Sequence, residues 1–454
     1  MGRQSSLRER LRADIRRVPI IDNHEHLLMR DFPGVERMHL IRHLSHTCLR
    51  HDLRSAGLRA GFWERFWQPS SAPEDPAADW RALHPYLRAV RSTSYYHYLL
   101  AAYRDLFGFE AGDLDDDNWE ALSVSIEEAY HSPDWAIHVL RDRCRVTVAL
   151  NDETMGGLDA FLDARCFRPV FQVDPFLTGD PNVTNVWGTS VNAMARRWGL
   201  HARDFQGFLA TLDEGFRRSA DAGAVAMKVN AAYWRTLRFQ SASKLEAERN
   251  YNLIVRGQYG GDPQKVGDFV LGYCIERSAE LGWPVQVHTG MQTGSGNWLE
   301  YAKPTHLNRL FLSYPQARFE IFHAAYPYAD EAAVLAKLFP NVYLDLCWLP
   351  LISPRAAAEG LSRWLELIPN NKLLWGGDSR VVEQTYGSVL ALEDTLAEVL
   401  ADKIERGYFD LDLAVETSEN IMWRNAGDLF GLRQQAEKRR GNGHNIQSAR
   451  EAAR

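Results

Sequence analysis

Two histidines separated by one residue follow a short apolar run near residue 20 of this 454-residue chain. The run covers residues 18–21 and leads into His24 and His26. Alternate residues of a strand share a face, so the two imidazoles are expected to project the same way, about 6–7 Å apart. Two imidazoles placed like this can bind one divalent metal. The alternative is a pair of ordinary surface histidines where a strand meets a loop.

Strand-like and helix-like runs alternate from residue 145 onward. Together with residues 20–24, the predicted strands cover residues 146–150, 170–173, 225–229, 285–288, 319–323, 342–346 and 373–378. Eight strand–helix units predict an α/β protein with a closed (β/α)₈ TIM-type barrel. The alternative is an open doubly wound sheet, which would usually carry a Gly-rich phosphate loop after its first strand. The sequence has no such loop there.

Polar side chains stand where several of these predicted strands end. Lys228 lies in the fourth strand, His288 ends the fifth, His323 ends the sixth and Asp378 ends the eighth. Each has a structural explanation when taken alone, as a core histidine, a snorkelling lysine or a helix N-cap. The carboxyl ends of barrel strands meet at one mouth, where such enzymes place their chemistry. With His24 and His26, the set therefore predicts a site for zinc or a similar cation.

This pattern resembles the amidohydrolase superfamily of metal-dependent (β/α)₈ enzymes, and most closely its amidohydrolase-2 branch. The similarity spans residues 18–430, and it is clearest at residues 228–235, 286–290, 323–328 and 341–345. Features near residues 95–98 and at Asp378-Ser379-Arg380 are similar to uronate isomerases. The resemblance implies that Lys228 is carbamylated and bridges two metal ions. The alternative is one ion on His24, His26, His288 and Asp378, with His323 either supporting these ligands or facing the substrate.

The chain is predicted to divide into four parts. Residues 1–29 hold an N-terminal helix and the first barrel strand, and residues 30–140 form a helical insertion after strand 1. Residues 141–432 complete the metal-dependent barrel, and residues 433–454 form a polar, mobile tail. The insertion is rich in aromatic residues, and we expect it to act as a lid or as the contact surface of a homo-oligomer.

The expected function is hydrolysis by a metal-activated water. The bond is an amide, lactone or related C–N or C–O bond of a small, carboxylate-bearing substrate. Asp378 is expected to move the water proton and His323 to polarise the carbonyl. The residues expected to bind the substrate are Arg380, Arg235, Tyr233 and Tyr96. The alternatives are a uronate-isomerase-like aldose–ketose isomerase and a metal-dependent decarboxylase on the same fold.

Charge and composition narrow the partners further. A formal net charge of −7 and a pI near 6.1 give no electrostatic case for binding nucleic acid or an anionic membrane. The five cysteines are scattered without a C-x-x-C pair, which indicates a reducing compartment. No apolar run approaches the roughly 18 residues of a membrane span, and no signal peptide precedes the first strand. We therefore expect a cytoplasmic protein.

Overall fold

A computed structural model describes residues 2–27, 35–67, 75–152, 163–184, 188–294 and 296–432, so the predicted tail lies outside the described residues. Within these ranges, neighbouring strands pair in parallel throughout. The barrel strands, numbered 1 to 8 along the chain, are Ile20–Glu25, Val146–Asn151, Phe167–Pro169 continued by Phe171–Gln172, Met227–Val229, Val285–Val287, Phe319–Ile321, Val342–Asp345 and Leu373–Leu374. Strand 3 begins three residues earlier than predicted and strand 8 ends four residues earlier, while the other strands lie within two residues of their predicted bounds.

Backbone hydrogen bonds between strand 1 and the segment after strand 8 close the barrel. The amide of Asp378 donates to the carbonyl of His24 over 2.9 Å, and the amide of Asn23 donates to the carbonyl of Trp375 over 3.4 Å. Gly376 allows this approach, because a Cβ there would lie 2.3 Å from Asn23 Oδ1. The (β/α)₈ architecture predicted from the strand–helix rhythm is therefore confirmed.

Helices cover the outside of the barrel. Those outside the insertion are Gly2–Ile15, Asp174–Leu177, Val191–Arg197, Phe205–Asp221, Lys244–Val255, Pro263–Glu280, Asn308–Ser313, Ala329–Leu338, Leu349–Ile352, Pro354–Leu367, Val382–Glu405, Leu411–Glu419 and Asn425–Leu429. Single turns of 3₁₀ helix occupy Ala231–Tyr233, Leu299–Ala302, Pro304–Leu307, His323–Ala325 and Asn370–Lys372, and a π turn occupies Asn420–Arg424. The helix Lys244–Val255 was not predicted, although Ser243 and Glu246 form a capping box at its start. In the part of the chain that the structure describes, no helix combines the length and the apolar character needed to cross a bilayer.

The described residues between strands 1 and 2 are helical and contain no strand. The helices are Leu40–His46, Leu49–Ser55, Glu64–Trp67, Pro76–Val90, Ser94–Phe107, Trp119–His131 and Trp135–His138, with 3₁₀ turns at Val35–Arg37 and Ala60–Phe62 and a π turn at Val139–Arg143. The aromatic-rich helix Ser94–Phe107 is capped by Thr93 and ends at Gly108, whose φ is +68°. Only glycine adopts that backbone conformation without strain.

The insertion packs against loops at the carboxyl ends of the strands. After strand 5, the amide of Gly294 donates to His51 Nδ1 over 3.4 Å. After strand 7, the Trp348 ring stacks on Tyr95 with 6.3 Å between centroids. Since these loops rim the barrel mouth, the insertion covers part of the mouth.

A buried glutamate joins the insertion to the helix that follows strand 8. Glu383, on Val382–Glu405, is fully buried and accepts a hydrogen bond from Trp135 Nε1 over 2.8 Å. The Tyr130 hydroxyl donates to the same carboxylate over 2.9 Å, and His43 Nε2 lies 2.9 Å from it. One carboxylate thus ties three insertion side chains to the barrel.

Candidate metal centre

Side chains from the ends of strands 1 and 8 meet at the barrel mouth. The Nε2 atoms of His24 and His26 each lie 3.4 Å from Asp378 Oδ1. The two imidazole rings are 4.6 Å apart between centroids. This is the shared face that the H-x-H spacing predicts.

The ends of strands 4, 5 and 6 supply the other half of the cluster. His323 Nε2 lies 3.0 Å from His288 Nδ1 and 3.9 Å from Asp378 Oδ2. Lys228 Nζ lies 3.1 Å from His24 Nε2. The structure therefore brings together all six residues predicted as metal ligands.

Two further residues of the cluster were missed by the sequence analysis. Asp152 follows strand 2, is fully buried, contacts His26 Nδ1 and has Oδ2 3.9 Å from Lys228 Nζ. Cys347 follows strand 7, and its sulfur lies within 4.8 Å of ligand atoms of His323 and Asp378. Asp152 comes directly after strand 2 and Cys347 two residues after strand 7, so the rule that found the other six residues could have found them.

Burial favours the neutral form of His24 and His288, which is the form that binds a metal. It lowers the pKa of His24 well below 6.5, and the nearby Lys228 lowers it further. The same two causes lower the pKa of His288 to about 3. Neutral imidazoles keep a lone pair for a metal. Burial also raises the pKa of Asp378, although His26 and Lys228 oppose that rise. Neutral nitrogen donors beside a carboxylate match the ligands of zinc and related divalent ions.

The backbone at two of these residues is strained. Asp378 has φ +51° and His323 has φ +61°, in the left-handed region that non-glycine residues rarely adopt. Such positions cost about 1–3 kcal/mol each and cluster at functional sites. Both residues were predicted to act in catalysis.

A buried polar layer beneath the cluster holds strand 1 in place. Glu25 accepts hydrogen bonds from the Ser379 amide over 2.6 Å and from Thr385 Oγ1 over 2.8 Å. Glu320 accepts from Asn23 Nδ2 over 2.5 Å. The side chain of Glu25 thus points away from its histidine neighbours and orders the loop that carries Asp378.

Of the four residues predicted to bind substrate, two lie at the mouth. The Tyr233 ring is 4.9 Å from that of His288, and its hydroxyl lies 3.2 Å from Thr293 Oγ1. The guanidinium carbon of Arg380 lies 5.0 Å from the centroid of the Trp67 ring.

The structure does not bring the other two to the cluster. Arg235 is paired with Asp268 over 2.6 Å and lies over the Phe239 ring. The Tyr96 hydroxyl donates to Asp113 and accepts from the Leu114 amide over 3.0 Å. Each of the two side chains is thus held by a carboxylate outside the cluster.

A closed parallel barrel with a cluster of imidazoles and carboxylates at its mouth is typical of metal-dependent α/β-barrel enzymes. The family described as Amidohydrolase matches residues 178–432, just over half of the chain. The protein therefore belongs to the amidohydrolase family, within the amidohydrolase superfamily of enzymes.

Three known proteins are similar to this chain in sequence or in fold. "Protein fluG" of Emericella nidulans is 34% identical over 154 residues, which is 34% of this chain and 18% of the relative. The match thus spans about a fifth of that longer protein. Glucuronate isomerase from Caulobacter crescentus superimposes with a TM-score of 0.74 at 17% identity, covering 94% of each chain. A Lactobacillus casei protein, described provisionally as a metal-dependent hydrolase, gives a TM-score of 0.61 at 17% identity, covering 92% of this chain and 96% of its own. For the two solved structures, an identity of 17% shows that the fold is shared and no more.

Proposed function

We propose that this protein is a metal-dependent hydrolase. It would use an activated water to cleave an amide, lactone or related C–N or C–O bond of a small, carboxylate-bearing substrate. The observation that carries the proposal is the presence of Lys228 and His323 in the same cluster as His24, His26 and Asp378. This fuller ligand set suits hydrolytic members of the superfamily. The provisional description of the Lactobacillus casei neighbour agrees with it.

The residues to hold the metal are His24, His26, His288 and Asp378, and their donor types favour zinc. A divalent ion there would supply Lewis-acid activation of water at neutral pH. Burial lowers the pKa of the Lys228 amine, although the carboxylates of Asp152 and Asp378 oppose this. The neutral amine is the form that can add carbon dioxide. The resulting carbamate would be an anionic oxygen ligand for a second ion, which an ammonium group cannot be.

Two side chains would move protons and stabilise charge. Asp378 borders His24 and His26, so it would accept a proton from the water and pass it to the leaving group. His323 is fully buried, and burial and the nearby His288 lower its pKa well below 6.5. A neutral His323 would donate its N–H to the oxygen that becomes negative.

A substrate screen tests the reaction class. N-acyl amino acids, γ-glutamyl amides and lactones would be compared with uronic acids, and His24→Ala would serve as the inactive control. Turnover of an amide or lactone that His24→Ala lacks is the expected result. Turnover of uronic acids alone would contradict a hydrolase.

The second candidate is an aldose–ketose isomerase that acts on a uronic acid. The fold similarity to glucuronate isomerase over 94% of the chain favours it. So does the position of Arg380, two residues after Asp378, because a guanidinium can hold the carboxylate of a sugar acid in bidentate fashion. The same screen separates the two candidates, since only one substrate class would be consumed.

A further inference from the structure

A positively charged pocket lies at the barrel mouth, between the insertion and the loop after strand 5. Its volume is about 310 Å³, and Arg50, His51, Trp67, Thr293 and Gly294 are among its lining residues. Trp67 is 38% exposed, although it is a large apolar side chain. A pocket of this size can accept part of a small organic molecule.

Two arginines flank the Trp67 ring. The guanidinium carbon of Arg50 lies 4.8 Å from the ring centroid, and that of Arg380 lies 5.0 Å from it. The two guanidinium groups are therefore within about 10 Å of each other. Arg50 comes from the insertion and Arg380 from the loop after strand 8, so the fold brings together two cations that are far apart in sequence.

Arg50 has no anionic partner in the described part of the chain. Its Nη1 donates to the carbonyl of Thr47 over 3.0 Å, and no described carboxylate lies within ion-pair distance. Glu64, which also lines the pocket, is exposed and does not pair with it. Burial lowers the pKa of Arg50 to about 10, with the Cys48 thiol opposing this and Arg380 adding to it. A half-buried cation without a carboxylate beside it is a place where a bound anion gains charge-assisted hydrogen bonds.

The pocket adjoins the metal centre. Tyr233 connects the two, because its hydroxyl contacts Thr293 of the pocket and its ring lies against His288. Arg50 is also close enough for its charge to favour the ionised form of Asp378. A single small substrate can therefore reach both places.

We propose that Arg50 binds a second carboxylate, so that the substrate is a dicarboxylate with one acid group on Arg50 and the other on Arg380. This deepens the proposed function and rests on it. The planar guanidinium matches a carboxylate with two parallel hydrogen bonds, and the Trp67 ring lies beside both arginines. The substrate class narrows to amides or esters whose scissile bond lies near two acid groups.

Calorimetric titration tests the pocket on the protein as purified, with glutarate as the dicarboxylate probe and butyrate as its monocarboxylate counterpart. Glutarate is expected to bind about tenfold tighter or more, the usual contribution of one charge-assisted pair. Arg50→Gln is expected to bring glutarate down to the affinity of butyrate without changing the metal content. Arg59→Gln removes an exposed charge of the same insertion outside the pocket and should leave glutarate binding unchanged.

Equal binding of the two probes by the wild type would overturn the proposal, and so would unchanged glutarate affinity in Arg50→Gln. If Arg50→Gln fails to fold, Arg50→Lys is tested in its place. Lysine keeps the charge but lacks the planar guanidinium that makes two parallel hydrogen bonds. Weaker glutarate binding by Arg50→Lys supports the proposal, and unchanged binding overturns it. Metal analysis distinguishes failure of the dicarboxylate subsite from failure of the proposed hydrolase. An Arg50-dependent preference for glutarate in a protein that holds no metal would leave the subsite standing and the hydrolase refuted.

Discussion

Asp152 sets the orientation of one of the proposed metal ligands. It is fully buried and contacts His26 Nδ1, while His26 Nε2 faces Asp378. Burial raises the pKa of Asp152, but the charge of His26 and its hydrogen bond outweigh this and hold the pKa below 3.8. A carboxylate behind a ligating histidine fixes its tautomer and raises its basicity.

Asp152→Asn should therefore weaken metal binding by about tenfold or more without unfolding the protein, because the amide keeps the size of the side chain but loses its charge. Competition with a chelator of known affinity measures the change. Asp412→Asn, on the exposed face of the helix Leu411–Glu419, is the control and should bind metal like the wild type. Equal metal affinity in Asp152→Asn and the control would refute the orienting role.

At the scale of elements, the approach of strand 8 to strand 1 admits no side chain at residue 376. A Cβ on Gly376 would lie 2.3 Å from Asn23 Oδ1 and 2.9 Å from the His24 amide. Gly376→Ala should therefore destabilise the protein by about 1–3 kcal/mol, as overpacking does, and lower its metal content by displacing His24. Denaturant unfolding and metal analysis measure the two effects.

Gly360 supplies the matched control for this substitution. It lies inside the helix Pro354–Leu367, and a Cβ there would meet no atom within 4 Å. Gly360→Ala should be neutral or stabilise the protein by up to about 1 kcal/mol, because alanine favours helix. If Gly376→Ala proved as stable as Gly360→Ala, close packing of strands 1 and 8 would not be what positions His24.

Substitution of Glu383 removes the hydrogen bonds that join the insertion to the helix after strand 8. Glu383→Ala removes the partner of the buried His43 ring and of the half-buried donors of Tyr130 and Trp135, and should cost about 3–5 kcal/mol. The loss should show in denaturant unfolding and in faster proteolysis of the insertion. Glu120→Gln, an exposed change in the same insertion, should have almost no effect. Wild-type resistance in Glu383→Ala would show that apolar packing alone holds the insertion.

The same carboxylate predicts a pH dependence of stability. Burial raises the pKa of Glu383, but the charge of His43 and hydrogen bonds from His43 and Trp135 outweigh this and hold the pKa below 4.5. The folded state thus binds its proton less readily than the unfolded state. Its contribution is complete above pH 4.5 and is lost as the pH falls through the lower folded value. The stability gap between wild type and Glu383→Gln should therefore narrow below pH 4.5, and a constant gap would contradict this assignment.

At the scale of the whole molecule, the alternation of strands and helices in the sequence predicts the barrel and the residues that lie at the ends of its strands. Barrel order predicts that His288, His323 and Asp378 meet at one mouth, because residues after parallel strands lie at the same end, and the structure brings them together. Asp152 was missed because the predicted second strand ended at residue 150, one residue before its observed end.

Contacts between residues that are far apart in the sequence could not be predicted from the strand pattern. Arg50 belongs to a helical insertion, and nothing local reveals that the insertion packs over the mouth. The sequence predicted Arg235 and Tyr96 as substrate ligands. Only the structure shows that Arg235 pairs with Asp268 and that Tyr96 donates to Asp113. The predicted oligomer contact through the insertion stays a prediction, and size-exclusion chromatography with light scattering would test it.

The convergence of imidazoles and carboxylates on one cation is the central claim, and elemental analysis of the purified protein tests it most directly. At least about one zinc, iron or manganese ion per chain is expected, and this metal should be lost in a His24→Ala variant that remains folded. Protein that is folded, turns over substrate and contains no metal would contradict it.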